Sequence, residues 1–460
     1  MNRYGWKRVR VEYGPAFFNV WIPGHSDILG MKNVVALKNP REHIESAIGS
    51  PVSGPGLDTI VKSLRKPVQD IQVAVAVSDN TRPVPYNGER EDGILLPLLK
   101  RLQSTGIERK HIKIIVATGT HVATSREWKR EAFGESIWKR YDIEDHDSTS
   151  NELFDVASVD GMSVKINHHF MDADLRIVTG LVEPHFMAGF SGGRKMVCPG
   201  LINIEATHLF HSAQYMDDPH ATNLNMENNP CHEFALNVAR KTGVHFSVNV
   251  ALNSEMQLAG VWAGELEASH NVAFQTVRGW VEIEAAHEYD IVLTHGGKVA
   301  INHYQAVKAA YAVIPILRRG GVAVLVAHNG DAEPIGKKSY RRILQVLKEE
   351  GSGSFSDMLT SRRWKFMPDQ WEVQKLNQFF QKAGSFDSLI YCTTNIAPDE
   401  LKKLPGRSGY DIAGSDCADI AVMVQHAIDR AVASSEVREP RFVYVKDGPY
   451  VVPIIRKGSD

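Results

Sequence analysis

A chain of 460 residues exceeds what one compact core holds and suggests two domains, each able to bury its own apolar interior. With 43% hydrophobic and 23% charged residues, a formal net charge of -2, and Lys and Arg interspersed with Asp and Glu, it reads as globular, with no basic stripe for nucleic acid. No run is long and apolar enough to span a bilayer, Met1 to Gly14 lacks the apolar middle of a signal peptide, and Cys198, Cys231, Cys392 and Cys417 form no CxxC pair. The expectation is a cytoplasmic protein without membrane contact, zinc knuckle or disulfide framework.

In chain order, Val9-Arg10-Val11-Glu12-Tyr13 and Phe17-Phe18-Asn19-Val20-Trp21 alternate between Gly14-Pro15 and Pro23-Gly24, which predicts a β-hairpin or two edge strands. Helices are expected from His43 to Ile48 and from Leu57 to Leu64. Then the pattern becomes strand, helix, strand: apolar runs at Ile71 to Val77, His111 to Val116 and Leu175 to Val178, with a helical stripe from Gly93 to Leu102. Such alternation argues for a parallel sheet of βαβ units, whose ligands gather at the carboxyl ends of the strands. A helix from Ile204 to Tyr215, a hairpin at Val248 to Leu252 and Leu258 to Trp262, and a long helix from about Glu267 follow.

Ile291-Val292-Leu293 opens a second alternating block, with a helix across Tyr304 to Leu317 and a strand at Val322 to Val326 after Gly320-Gly321. The fold class is therefore α/β, with two largely parallel sheets. The boundary is expected near residues 275 to 285, giving a domain at 1–275 and a second at 276–460, whose tail 437–460 is a candidate to pack back on the first.

Three loops begin where apolar strands of the first domain stop: Ser78-Asp79-Asn80-Thr81-Arg82-Pro83, Ala117-Thr118-Gly119-Thr120-His121 and Gly180-Leu181-Val182-Glu183-Pro184-His185. In a parallel sheet these bring Asp79, Arg82, His121 and His185 to one rim. Singly, each has a plainer account: Asp79 as a turn cap, Arg82 as a solvated cation, His121 as a structural histidine.

Downstream, Ser191-Gly192-Gly193-Arg194-Lys195 reads as an anion loop, with two glycines free to turn their amides outward beside two cations, although an ordinary glycine turn fits equally well. It is not a Walker A motif. His208 and His211 lie three apart on the expected helix, and five of the nineteen histidines fall between His185 and His232, a concentration that suits a metal or acid-base site. In the second block, Tyr304 and Lys308 are four apart, with Gln305 beside Tyr304. A Lys and a Gln facing a cleft suit a carboxylate and a hydroxyl, while a solvated helix face is the plainer account.

Taken together, Asp79-Asn80-Thr81-Arg82-Pro83, Ala117-Thr118-Gly119-Thr120-His121, Glu183-Pro184-His185 running into Gly189-Phe190-Ser191-Gly192-Gly193-Arg194-Lys195, His211, and Tyr304-Gln305 with Lys308 resemble the lactate racemase family from about residue 70 onward. The resemblance implies an active-site cleft between two α/β domains. It implies a nickel-pincer nucleotide, a pyridinium-3-thioamide-5-thiocarboxylic acid mononucleotide carrying Ni, which other proteins must synthesise. On this reading His211 is the nickel ligand and Lys195 the family lysine that can be joined to the thioamide. Asp79 contacts the nucleotide, with Ser191, Gly192 and Gly193 as the anion loop, and Arg82, Tyr304, Gln305 and Lys308 lie at the substrate.

His121 and His185 are then the two acid-base groups of a racemase or epimerase acting at C2 of a small 2-hydroxy acid. Where many relatives continue with a basic residue and proline after the first histidine, Val122-Ala123-Thr124 stands here, which counts against assuming lactate. His295, His303 and His328-Asn329-Gly330-Asp331 are additional polar groups suited to a larger or more polar acid, or to ordinary loops. The competing readings are a divalent-metal hydrolase built from His185, His208, His211 and Asp79, and a non-catalytic protein that binds the nickel nucleotide.

Overall fold

The computed structural model describes residues 5–456. They form two compact units, one from Asn33–His211 and His220–Trp280, hereafter the middle unit, the other from the start through Lys32, Ser212–Pro219 and Val281 onward, hereafter the terminal unit.

The middle unit is built on Val73–Val77, whose five side chains are all buried. A strand covered on both faces reads as an unbroken apolar run, and each of its three valines contributes about 1.5–3 kcal/mol on burial. It pairs in parallel with Ile112–Val116 on one side and Leu175–Leu181 on the other. Asp142–Asp145 extends the first side, and Phe246–Leu252 with its antiparallel partner Leu258–Gly264 extends the second. The helix Leu95–Ser104 buries Leu95, Leu98, Leu99 and Leu102, the spacing of one helical face.

Because the first sheet strand is central, the next two strands lie to one side and the fourth returns to the other. The connections therefore diverge between Val73–Val77 and Leu175–Leu181, and a sheet wound this way leaves a crevice at the carboxyl ends of that pair. Tyr86 ties the two strand ends: its hydroxyl accepts from the Ser78 amide at 2.7 Å and lies 2.9 Å from Thr179 Oγ1, which donates to the Ala76 carbonyl at 3.0 Å.

The terminal unit carries six parallel strands in the order Arg407–Ser408, Leu389–Cys392, Leu317–Val326, Tyr289–His295, Phe442–Val445, Asp27–Leu29. The hairpin Trp6–Tyr13/Ala16–Pro23 adds Val9, Val11, Val20 and Ile22 to the same core. One placement corrects the expected domain layout. The opening segment belongs with the terminal unit, because Asp27–Leu29 pairs with Phe442–Val445. The tail strand Phe442–Val445 is fully buried between Tyr289–His295 and the opening segment's Asp27–Leu29, and Val452–Ile455 pairs with Glu282–Ala285.

Two expected helices are interrupted. The one drawn from Ile204 to Tyr215 ends at Phe210 and resumes as Ala213–Asp217, because Ser212 is extended. The one drawn from Tyr304 to Leu317 is His303–Ala306, Lys308–Ala312 and a single 3-10 turn at Ile314–Ile316, where Pro315 has no amide to continue an α-helix. No helix among the described residues is long and apolar enough to cross a membrane.

Candidate active site

The crevice of the middle unit is lined by the loops that leave the strand ends. Asp79 follows Val73–Val77 directly and is buried. Its Oδ1 accepts from the Thr81 amide at 3.1 Å and the Thr81 hydroxyl at 2.6 Å, and its Oδ2 lies 2.6 Å from His121 Nδ1. Burial works against the carboxylate, but the hydrogen bond and charge of His121, with the two bonds from Thr81, outweigh it and hold Asp79 below its ordinary value. An ionised Asp79 fixes the His121 proton on Nδ1 and leaves the lone pair on Nε2. The carboxylate side chain is 5% exposed and the imidazole 47%, so the dyad presents its base to solvent from an anchored partner.

Arg82 spans the crevice, with Nε 2.8 Å from Glu183 Oε1 on the neighbouring strand's loop and Nη1 donating to the Thr81 carbonyl at 2.9 Å. Glu183 had been read only as part of a motif; its role in holding Arg82 is invisible without the strand order.

His185 is buried and stacked on Phe186, ring centroids 5.0 Å apart. Its Nδ1 faces the amides of Met187 and Ala188, both at a long 3.4 Å, while Nε2 is 3.1 Å from Lys195 Nζ. A nitrogen facing two N–H groups is an acceptor, so the neutral ring carries its proton on Nε2. A neutral Lys195 amine accepts that proton, whereas an ammonium would set N–H against N–H. Burial, reinforced by the charges of Arg194 and Arg82, pushes Lys195 down to about 7, which makes the neutral amine available near neutral pH.

The run from Ser191 to Lys195 differs from the expected outward-facing anion loop. Ser191 Oγ donates to the Leu181 carbonyl at 2.7 Å and accepts from the Glu183 amide at 3.1 Å, and the Gly193 amide donates to Asn249 Oδ1 at 3.0 Å. The glycines serve close packing: at φ +76 a Cβ on Gly192 would meet Val182 at 2.9 Å, and at φ +51 one on Gly193 would meet the His270 ring at 2.7 Å. Arg194 turns inward, donating to the Ala188 carbonyl at 2.7 Å, with Nη1 3.1 Å from His270 Nε2. Of the two cations only Lys195 meets the crevice histidines.

His211 is the C-cap of the helix ending at Phe210, its amide still donating to the Thr207 carbonyl at 3.1 Å. Its Nδ1 donates to the Thr207 carbonyl at 2.8 Å, and burial pushes it down to about 3, so the ring is neutral with its lone pair on Nε2. Lys195 Nζ lies 5.4 Å from the centroid of the neighbouring Phe210 ring. Among the described residues no group of three or more His, Cys, Asp or Glu side chains could hold a metal ion.

In the terminal unit, Asn302 caps the turn His303–Ala306 by accepting from the Gln305 amide at 3.0 Å. Lys308 Nζ donates to Gln305 Oε1 at 2.7 Å, and Tyr304 accepts from Trp371 Nε1 at 2.9 Å, so these side chains form one polar group despite the helix break at Val307. Trp371 carried no signal in the sequence, being 67 positions from Tyr304. His295 and His303, read as extra polar groups, are buried and bonded internally: His295 Nε2 lies 2.6 Å from the Lys446 carbonyl, and His303 Nδ1 2.9 Å from the Tyr340 hydroxyl. Asn329 is likewise engaged, accepting from Tyr391 at 3.0 Å, and His328 packs edge-on against Tyr13.

Comparison with known proteins agrees with this geometry. The lactate racemase N-terminal domain matches residues 13–223 and the lactate racemase C-terminal domain residues 284–413. A lactate racemase of Lactiplantibacillus plantarum is 30% identical over 369 residues, 79% of this chain and 82% of the relative. One from Thermoanaerobacterium thermosaccharolyticum is 29% identical over 364 residues, 75% of this chain and 83% of the relative. The structure of a lactate racemase apoprotein from the latter organism shares the fold with a TM-score of 0.81 at 24% identity, covering 98% of this chain and all of that one. A Thermotoga maritima protein matches more distantly, with a TM-score of 0.63 at 16% identity over 92% of this chain. The chain belongs to the lactate racemase family.

Proposed function

We propose that this protein is a racemase or epimerase that inverts C2 of a 2-hydroxy acid with the help of a nickel-pincer nucleotide. The observation that carries the reading is the pairing of a neutral, metal-competent His211 with Lys195, a buried amine that is half neutral at about 7. These suit a pincer that supplies most of the metal's donors itself and is fastened through an amine. His211 would hold the nickel through Nε2, and Lys195 would hold the thioamide arm. When bound, the group supplies the acceptor and donor of the hydride at C2.

The chain's own residues then handle binding and the proton. His121 Nε2, aimed outward by the Asp79 hydrogen bond, takes the proton of the 2-hydroxyl in one enantiomer. His185 is the proposed acid-base group for the other, where the hydroxyl points the opposite way once C2 is inverted; with its proton on Nε2 it enters as the donor to the oxygen on C2. Were Lys195 joined to the thioamide arm, its nitrogen would no longer accept from His185 Nε2–H, which would then face the substrate oxygen instead. Arg82, braced by Glu183, and Lys308 with Gln305 are the proposed carboxylate and hydroxyl ligands, and Tyr304 supports the latter pair.

The hydrolase alternative lacks support, since Asp79 is committed to Thr81 and His121, and the histidines do not gather at ligand spacing with it. As to substrate, Val122 is 73% exposed beside His121, so this edge is apolar where a cation would favour a second acidic group. The reading is tested by loading the protein with the nickel nucleotide and following single enantiomers of lactate, malate, phenyllactate and aldonates by chiral chromatography. Loss of optical purity with at least one is expected; a fully loaded sample that leaves all of them unchanged rejects it.

A further inference from the structure

Away from the residues discussed so far, the terminal unit contains a cavity of about 670 Å³ between the helix Lys338–Thr360 and the segment that follows the short helix Pro398–Leu401. One wall is a stripe of cations that ends at the carboxylate of Glu349. Lys338, Arg341, Arg342 and Lys348 stand at positions i, i+3, i+4 and i+10, which share a helical face, while Ile343, Leu344 and Leu347 on the other side enter the core. The floor is the buried pair Ile335 and Leu404.

The two walls are fastened together, since Lys348 Nζ donates across the groove to the carbonyls of Lys402 and Leu404. On the far wall Lys403 is matched by Glu400. Lys338, Arg341 and Arg342 have no ion pair with a described residue, and Arg341 makes only one internal bond, from Nε to the Gly336 carbonyl at 3.0 Å. Arg240 and Lys382, by contrast, are matched by Glu267 and Glu288.

Like charges three and four apart on a helix repel, by a few tenths of a kcal/mol per pair. A walled groove that concentrates them over an apolar floor, in a chain with a formal net charge of -2, is a site for a concentrated anion. The volume falls in the range of pockets that enclose a nucleotide-sized ligand and exceeds what a single phosphate fills. Guanidinium forks flanked by an ammonium match phosphoryl oxygens rather than one carboxylate.

We propose that this groove binds a small molecule carrying a di- or triphosphate group, held by Lys338, Arg341 and Arg342 with its organic part over Ile335 and Leu404. The proposal does not depend on the racemase reading, and its test needs no nickel cofactor. The full chain is titrated with pyrophosphate and with ADP by calorimetry, alongside the Lys338→Glu/Arg342→Glu double variant, whose exposed substitutions leave the thermal midpoint unchanged.

Saturable binding of one equivalent, weakened at least about tenfold in the double variant, is expected. Absence of saturable binding of either probe overturns the proposal. So does binding that the double variant leaves intact, which would assign the phosphate to another site. Binding of DNA or polyglutamate, but of neither small probe, would also overturn it in favour of a macromolecular polyanion.

Discussion

Asp79 serves two neighbours at once: Oδ1 closes the turn at Thr81, and Oδ2 sets the tautomer of His121. Replacement by Asn keeps an acceptor for Thr81 but loses the charge that favours an Nδ1 proton. Asp79→Asn is therefore expected to lower kcat by about 10²- to 10⁴-fold, with the thermal midpoint little changed. Racemisation rates and melting curves measured together check this, and an unaltered kcat would remove Asp79 from the acid-base apparatus.

Lys195 gives the pH prediction. Its pKa is lowered, so the neutral, nucleophilic fraction grows as pH rises through about 7, well below the range of a solvated lysine. Acylation of Lys195 by a lysine-selective reagent, quantified by peptide mass spectrometry, should reach half its maximum near that pH. A midpoint at the ordinary lysine value would contradict the desolvated site. That Asp79, Arg82, His121 and His185 follow apolar strands was legible from the residues alone. Their pairings were not, because Asp79 and His121 lie 42 positions apart and only the strand order brings them together.

At the scale of elements, several strands were legible from a continuous apolar run, as in Val73–Val77 and Ile112–Val116, whereas the equally apolar but shorter Leu389–Cys392 and Phe442–Val445 were not singled out. The interruptions were harder. Pro315 was a visible stop, but the break at Ser212 has no comparable residue signal, and it decides that His211 lies past a helix end. The glycine pair was seen and misread: an SGG run fits an anion loop and close packing equally well, and the structure shows packing, with the Gly193 amide on Asn249 and His270 against its Cα. Gly193→Ala is accordingly expected to cost about 1–3 kcal/mol, from a positive φ and the clash with the His270 ring. Urea unfolding measures this; a loss below a few tenths would mean that the turn is not packed as described.

Across the whole molecule, two α/β units with mostly parallel sheets were foreseeable from two blocks of alternating strands and helices. The assignment of the opening segment was not, because Asp27–Leu29 is only three residues long and its partner Phe442–Val445 lies at the other end of the chain. Neither strand carries a periodicity that names the other. The same chain-wide view bears on the reaction. The middle unit supplies two differently prepared imidazoles, a buried amine and a neutral buried histidine, a set that suits the proposed movement of one proton while C2 exchanges a hydride. The most direct measurement follows C2 itself: one enantiomer of the accepted 2-hydroxy acid, deuterated at C2, is racemised in ordinary water by the loaded protein, and the inverted product is isolated by chiral chromatography and weighed by mass spectrometry. Hydride transfer predicts that the inverted product keeps its deuterium; deuterium lost to water would show proton abstraction from carbon and contradict the account.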